Sequence, residues 1–162
     1  MAKLTIPENF KLVQLANPKT TNGGFTSDYI SLKNVKRATI IIDNTQAVGH
    51  ATAFTLGQAS AVDGTGAKAL TNVTSCWLND DVATSDTLVK QTDAKAVTVT
   101  ADVKNKQIVF QVDPCQSMDL ANGFDCLYFT AADSSQATNF ASAVAILEMR
   151  YAEDTPPAAI TD

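Results

Sequence analysis

Ala96-Val97-Thr98-Val99-Thr100-Ala101-Asp102-Val103-Lys104-Asn105-Lys106-Gln107-Ile108-Val109-Phe110-Gln111-Val112 is the stretch whose reading decides the fold. Val97 and Val99 alternate with Thr98 and Thr100, the period of two expected of a half-buried strand, whose successive side chains point to opposite faces. Ile108, Phe110 and Val112 then share one face, with Gln107 and Gln111 on the other. Lys104-Asn105-Lys106 between them reads as a tip, so the spacing predicts a hairpin of two antiparallel strands.

The same pattern recurs on both sides. Thr39-Ile40-Ile41-Ile42 stops at Asp43-Asn44, and Ala51 to Ser60 sets Phe54 and Leu56 against Ala53 and Thr55. Val62-Asp63-Gly64-Thr65-Gly66 is a turn signal. Val73 to Leu78 carries the single tryptophan, Trp77, which reads as core, and Phe124 to Thr130 forms a strand after the Asn122-Gly123 turn. Ala141 to Tyr151 is rich in alanine, a helix former, but Ala143, Ala145, Leu147, Met149 and Tyr151 alternate with polar neighbours, which predicts a strand. Twenty threonines, β-branched and suited to a pleated surface, run through the chain. About eight strands at short spacing with few helices predict an all-β fold, an antiparallel two-sheet sandwich of jelly-roll-like type. The expected organisation is an extended N-terminal arm over residues 1–28, a β-sandwich over 29–152 and a C-terminal tail over 153–162. Pro156-Pro157 bars the tail from a central strand.

At 162 residues the chain is long enough for one domain whose core needs neither disulfide nor metal. Its 12 basic and 17 acidic residues give a net charge of −5. Phosphate backbones and anionic membrane surfaces attract basic proteins, so neither nucleic acid nor membrane is an expected partner. The N-terminus shows no basic, apolar leader, and Ile40-Ile41-Ile42 is too short to cross a bilayer, so synthesis in a cytoplasm is expected. Cys76, Cys115 and Cys126 have no metal-binding spacing. They read as small buried apolar residues, with a Cys115–Cys126 bridge or an inter-chain disulfide through either as the alternative.

Few residues point to chemistry. His50 is the one histidine and sits at a turn; general acid–base work needs a positioned group, and no catalytic role is expected of it. Gly64-Thr65-Gly66-Ala67-Lys68 lacks the glycine spacing of a phosphate loop and reads as a turn. Asn79-Asp80-Asp81 with Ser85-Asp86 offers oxygens to a hard cation, but without an EF-hand pattern it reads as a polar loop, as does the stretch holding Asp113-Pro114 and Asp119. Asn72-Val73-Thr74 is a glycosylation sequon without a secretory context. No catalytic residue, metal or cofactor is expected, which favours adhesion between surfaces. Leu4, Ile6, Phe10, Leu12, Val13 and Leu15 stud the arm with apolar side chains, and they are expected to lie across a neighbour. The alternative makes them the first strand of the chain's own sandwich.

Several segments carry a resemblance. They are Gly23-Gly24-Phe25-Thr26-Ser27-Asp28-Tyr29-Ile30-Ser31-Leu32-Lys33-Asn34, Gly64 to Leu70, Trp77 to Asp81 with Ser85 to Leu88, Asp119 to Cys126, and Arg150 through Pro156-Pro157 to Asp162. From about Gly23 onward the chain resembles small structural proteins that tailed bacteriophages and prophages encode near the major capsid gene. The resemblance implies a head decoration, or cement, protein on the outer capsid surface of the virion, made in the host cytoplasm. It would bridge capsomers by binding the major capsid protein and copies of itself, as a trimer where three-fold lattice points suit it. Another virion component (tail, fibre or spike base) and a carbohydrate- or receptor-binding module are the alternatives. A cupin-like metalloenzyme would need several histidines.

Overall fold

The computed structural model describes residues 6–151 and 158–160. A single helical turn, α1 (Ile6–Asn9), leads into β1 (Phe10–Thr20), followed by β2 (Phe25–Thr26), β3 (Ile30–Ser31) and β4 (Val35–Thr45). Next come β5 (Thr52–Ala59), β6 (Lys68–Ala69), β7 (Ser75–Asn79), β8 (Val89–Lys90) and β9 (Ala96–Val99). After β10 (Asn105–Val112), a short helix α2 (Pro114–Ser117) and a 3-10 turn (Leu120–Asn122) precede β11 (Cys126–Ala131) and β12 (Phe140–Met149).

These strands form two antiparallel sheets. The first has the order β1-β12-β4-β10-β7-β8, and the second β2-β11-β5-β6, with β3 also against β11 and β9 against β5. The chain passes repeatedly from one sheet to the other, and its first long strand lies beside its last. That is the jelly-roll arrangement expected from the strand count.

Alternation explains the core. Ile40 and Ile42 of β4, Ile108 and Phe110 of β10, and Ala143 and Ala145 of β12 face inward from the first sheet. Phe54 and Leu56 of β5, with Leu127 and Phe129 of β11, face them from the second. Phe129 packs edge-on against Phe25 at 5.9 Å and tilted against Phe54 at 6.3 Å between ring centroids. Residues 140–149 are a strand despite their alanines, with Ala141, Ala143, Ala145 and Leu147 inward; a register shift between Glu148 and Met149 ends the alternation.

Two expectations are corrected. The predicted hairpin is an arch: β9 pairs with β5 in the second sheet, whereas β10 pairs with β4 and β7 in the first. Both strands carry an apolar face, and the faces bury each other only from opposite sheets. Lys106 shares the inward parity of Ile108 and Phe110, so the arch buries its ammonium completely. The ammonium donates to Thr100 O at 3.1 Å, to Thr100 Oγ1 and to Asp102, and ion-pairs with Asp80 Oδ1 at 2.9 Å. A buried cation is tolerable only when its donors are met, and the arch meets them.

The arm boundary at residue 28 is the second correction. Residues 10–20 are β1, paired with β12 from Phe10↔Glu148 to Thr20↔Phe140, and β2 and β3 pair with β11. A free arm would leave its backbone hydrogen bonds to water, whereas β12 supplies partners and the core takes Val13 and Leu15. The tail expected over 153–162 is described at three residues only. Most of it lies outside the described residues, but Ala159 is buried and its carbonyl accepts from Ser31 N at 2.6 Å. Residues 158–160 therefore dock beside β3.

Candidate functional site

The parity that buries Ile40 and Ile42 turns Ile41 outward, and other apolar residues share this outer side of the first sheet. Strand register aligns Gln14, Val144, Ile41, Val109, Trp77 and Lys90 in one row across β1, β12, β4, β10, β7 and β8. The adjacent row runs Leu12, Ile146, Thr39, Gln111 and Ser75. Leu12 is 56% and Val144 39% exposed, while Ile41, Val109, Ile146 and Trp77 are half-buried. A contiguous apolar group on an exposed sheet face differs from the single exposed valines on loops, such as Val48 and Val103.

Charges rim the group. Lys36 pairs with Glu148 at 3.0 Å beside Arg37, Gln107 Nε2 donates to Asp43 Oδ1 at 3.0 Å, and Lys90 pairs with Asp93 at 2.5 Å. An apolar centre within a polar rim is the anatomy of a protein interface.

The sequence expectations fall unevenly on this face. Of the six residues expected to touch a neighbour, Leu4 lies outside the described residues and Ile6 starts α1. Phe10 and Leu12 are on the outer face, and Val13 and Leu15 are corrected to core. Trp77 is also corrected: it lies outside the core, with Lys90 Nζ 4.7 Å from its ring centroid. Its parity opposes that of the buried Cys76, a signal the sequence contained. Sequence reading missed Val144, Ile41 and Val109 because each lies beside a core residue in an apolar run.

The remaining candidates serve the fold. Cys76 and Cys126 are buried, Cys115 is exposed, and all three are free thiols. Burial removes Cys126 from any bridge to another chain and pushes the Cys76 thiol up. Arg150 Nη2 lies 3.4 Å from Cys115 Sγ. His50 Nδ1 sits 3.0 Å from the Ala51 carbonyl at a turn. Asp80 is engaged by Lys106 and Lys104, and Asn79 and Asp81 cap the backbone of their own loop. At the Gly64–Lys68 turn, hydrogen bonds from the Thr65 side chain and, at 2.8 Å, from its backbone N–H hold the Asp63 carboxyl below its ordinary value. Lys68 reaches Asp119 at 2.8 Å and stacks on Phe124 at 3.6 Å. Among the described residues, no three or more His, Cys, Asp or Glu side chains converge as a metal site requires.

On the opposite side of the sandwich, Tyr128 lies flat across Gly57, where a Cβ would stand 2.2 Å from its Cζ, and Tyr29 packs on it at 4.6 Å.

No family model matches this chain, and no curated protein sequence matches it. Among solved structures it is similar to the SPBc2 prophage-derived protein YomS, at 10% identity over 91% of this chain and 98% of that one, with a TM-score of 0.47. It is also similar to a chain described under "CBM4 structure and function", at 10% identity over 88% of this chain and 85% of that one, with a TM-score of 0.31. At such scores and identities neither likeness bears on what the chain does. Among the described residues, no helix is long and apolar enough to cross a membrane.

Proposed function

We propose that this chain is a structural component of a tailed-bacteriophage virion, a head decoration protein that attaches to the outside of the assembled shell and bridges neighbouring capsomers. The observation that carries this reading is the apolar group on the outer face of the first sheet, running from Leu12 through Val144 to Ile41, with charges at its rim. Such a group gains free energy only when a partner covers it. The segments that resemble phage decoration proteins supply the class of partner, an assembled lattice of major capsid protein.

The mechanism is mass action. A protein that binds the assembled lattice and not its dissociated subunits stabilises each site by RT ln(1 + [L]/Kd), about 2.7 kcal/mol at a hundredfold excess over Kd. Copies joined around a lattice axis add avidity without new contacts. No substrate is turned over.

Co-sedimentation tests the proposal. The protein, mixed with purified heads from the phage or induced prophage that encodes it, pellets with heads and stays in the supernatant with unassembled capsid protein. Equal partition in both mixtures would refute it.

A further inference from the structure

At the β7 corner of the same face a cleft of about 190 Å³ is lined by Arg37, Ser75, Asp93, Gln111, Asp113 and Gln116, among others. Its β7 wall lies four strand spacings from Leu12 on β1, or about 19 Å at 4.8 Å per spacing. Several of its polar groups are uncommitted. The Arg37 guanidinium and the side-chain amides of Gln111 and Gln116 have no partner among the described residues. Asp113 uses Oδ1 to accept from Cys115 N at 3.0 Å, which leaves Oδ2. Lys90 pairs with Asp93 and stacks on Trp77, so it ties the cleft wall to the half-exposed indole. Ser75 and Trp77 face the same way, two residues apart on β7.

The lining selects a chemistry. Lys90 neutralises Asp93, and the remaining lining charges, Arg37 and Asp113, are one of each sign, so the cleft favours neither an anion nor a cation. An apolar ligand would strand every polar group it covered. A neutral ligand dense in hydroxyls satisfies all of them, because each hydroxyl accepts from a guanidinium or amide N–H and donates to a carboxylate. The volume equals about six waters at roughly 30 Å³ each, below a drug-sized pocket. Trp77 borders this lining through Lys90, which sits over its ring and pairs with Asp93. We propose that this cleft is a saccharide-binding subsite for one neutral hexopyranose unit of a glycan. The proposal stands whether or not the chain decorates a shell.

Trp77 is the only tryptophan and meets the cleft through Lys90 and Asp93, so its emission reports a ligand that disturbs that pair. The full chain is titrated with the trisaccharides of glucose, galactose, mannose and N-acetylglucosamine, to well above the dissociation constant on the order of 1 mM that a single small subsite gives. The expected result is a saturable emission change with at least one of them. That response should weaken at least about tenfold in the Arg37→Ala/Gln111→Ala double variant, whose Tm stays close to that of the parent. If the double variant fails to fold, Gln116→Ala on exposed α2 takes its place, with the same criterion. No saturable response to any of the four sugars, or a response unchanged by the substitutions, overturns the proposal.

Discussion

Replacing Leu12 by Gln and Val144 by Thr separates attachment from folding. Covering a leucine or valine completely is worth about 1.5–3 kcal/mol. Leu12 is 56% and Val144 39% exposed. Those fractions leave about 0.8–1.7 kcal/mol at Leu12 and about 0.6–1.2 kcal/mol at Val144 for a partner to realise. At 1.4 kcal/mol per factor of ten, the double variant should bind heads roughly 10- to 100-fold more weakly per copy. Both substitutions lie on solvent and suit a strand, so urea stability should change by no more than about 0.5 kcal/mol each. Leu15→Ala, three residues along β1 but in the core, should behave in the opposite way and cost about 2–5 kcal/mol of stability. The assay is co-sedimentation of protein labelled on exposed Cys115 over a range of head concentrations. Head binding by the double variant within a factor of two of the parent, with the fold intact, would refute the docking face.

Further expectations concern the fold and its thiols. A maleimide should label one cysteine per chain, Cys115, in the native protein and three in urea; rapid native labelling of Cys126 would contradict its burial. Any inter-chain disulfide on a non-reducing gel should vanish in Cys115→Ser. Gly57→Ala places a Cβ against the Tyr128 ring and should cost about 1–3 kcal/mol in urea melts; no loss would mean that Tyr128 swings away freely. Asp102 is held well below the usual carboxylate range, chiefly by the hydrogen bond from Lys106. Lys90 likewise lowers Asp93, Lys68 lowers Asp119, and the Ser135 amide lowers Asp133. A carboxyl with a depressed native pKa stabilises the fold above its unfolded value near 3.9 and loses that contribution as pH falls through the native value. The urea midpoint should therefore vary little from pH 7 to 5 and drop below about pH 4, with a smaller drop in Asp102→Asn. A midpoint that rises on acidification would contradict these pairings.

The two-sheet architecture was legible because period-two alternation marks strands whatever their partners. Partner choice was not. Lys104-Asn105-Lys106 suits a hairpin tip and an arch equally, and no local signal says which sheet receives β9. The parity of Lys106 with Ile108 and Phe110 was visible, and a lysine on a core face already implied acceptors such as Asp80 and Asp102. The arm was misread because an apolar first strand and an apolar arm share one composition; only its pairing with β12 separates them. The docking face hid for a related reason. Ile41 and Val109 sit in runs apolar on both faces, and such runs read as wholly buried. The cleft joins Arg37, Asp93, and Gln111 with Asp113, from three places in the chain, a juxtaposition that only the fold creates.

Electron cryomicroscopy of heads carrying the protein tests the central claim most directly. The expected image is a jelly-roll density on the outer surface of the shell, with β1 and β12 turned toward capsid subunits and Leu12 within contact of them. Heads that lack this density, or whose density meets the shell through the tyrosine-covered second sheet, would contradict it.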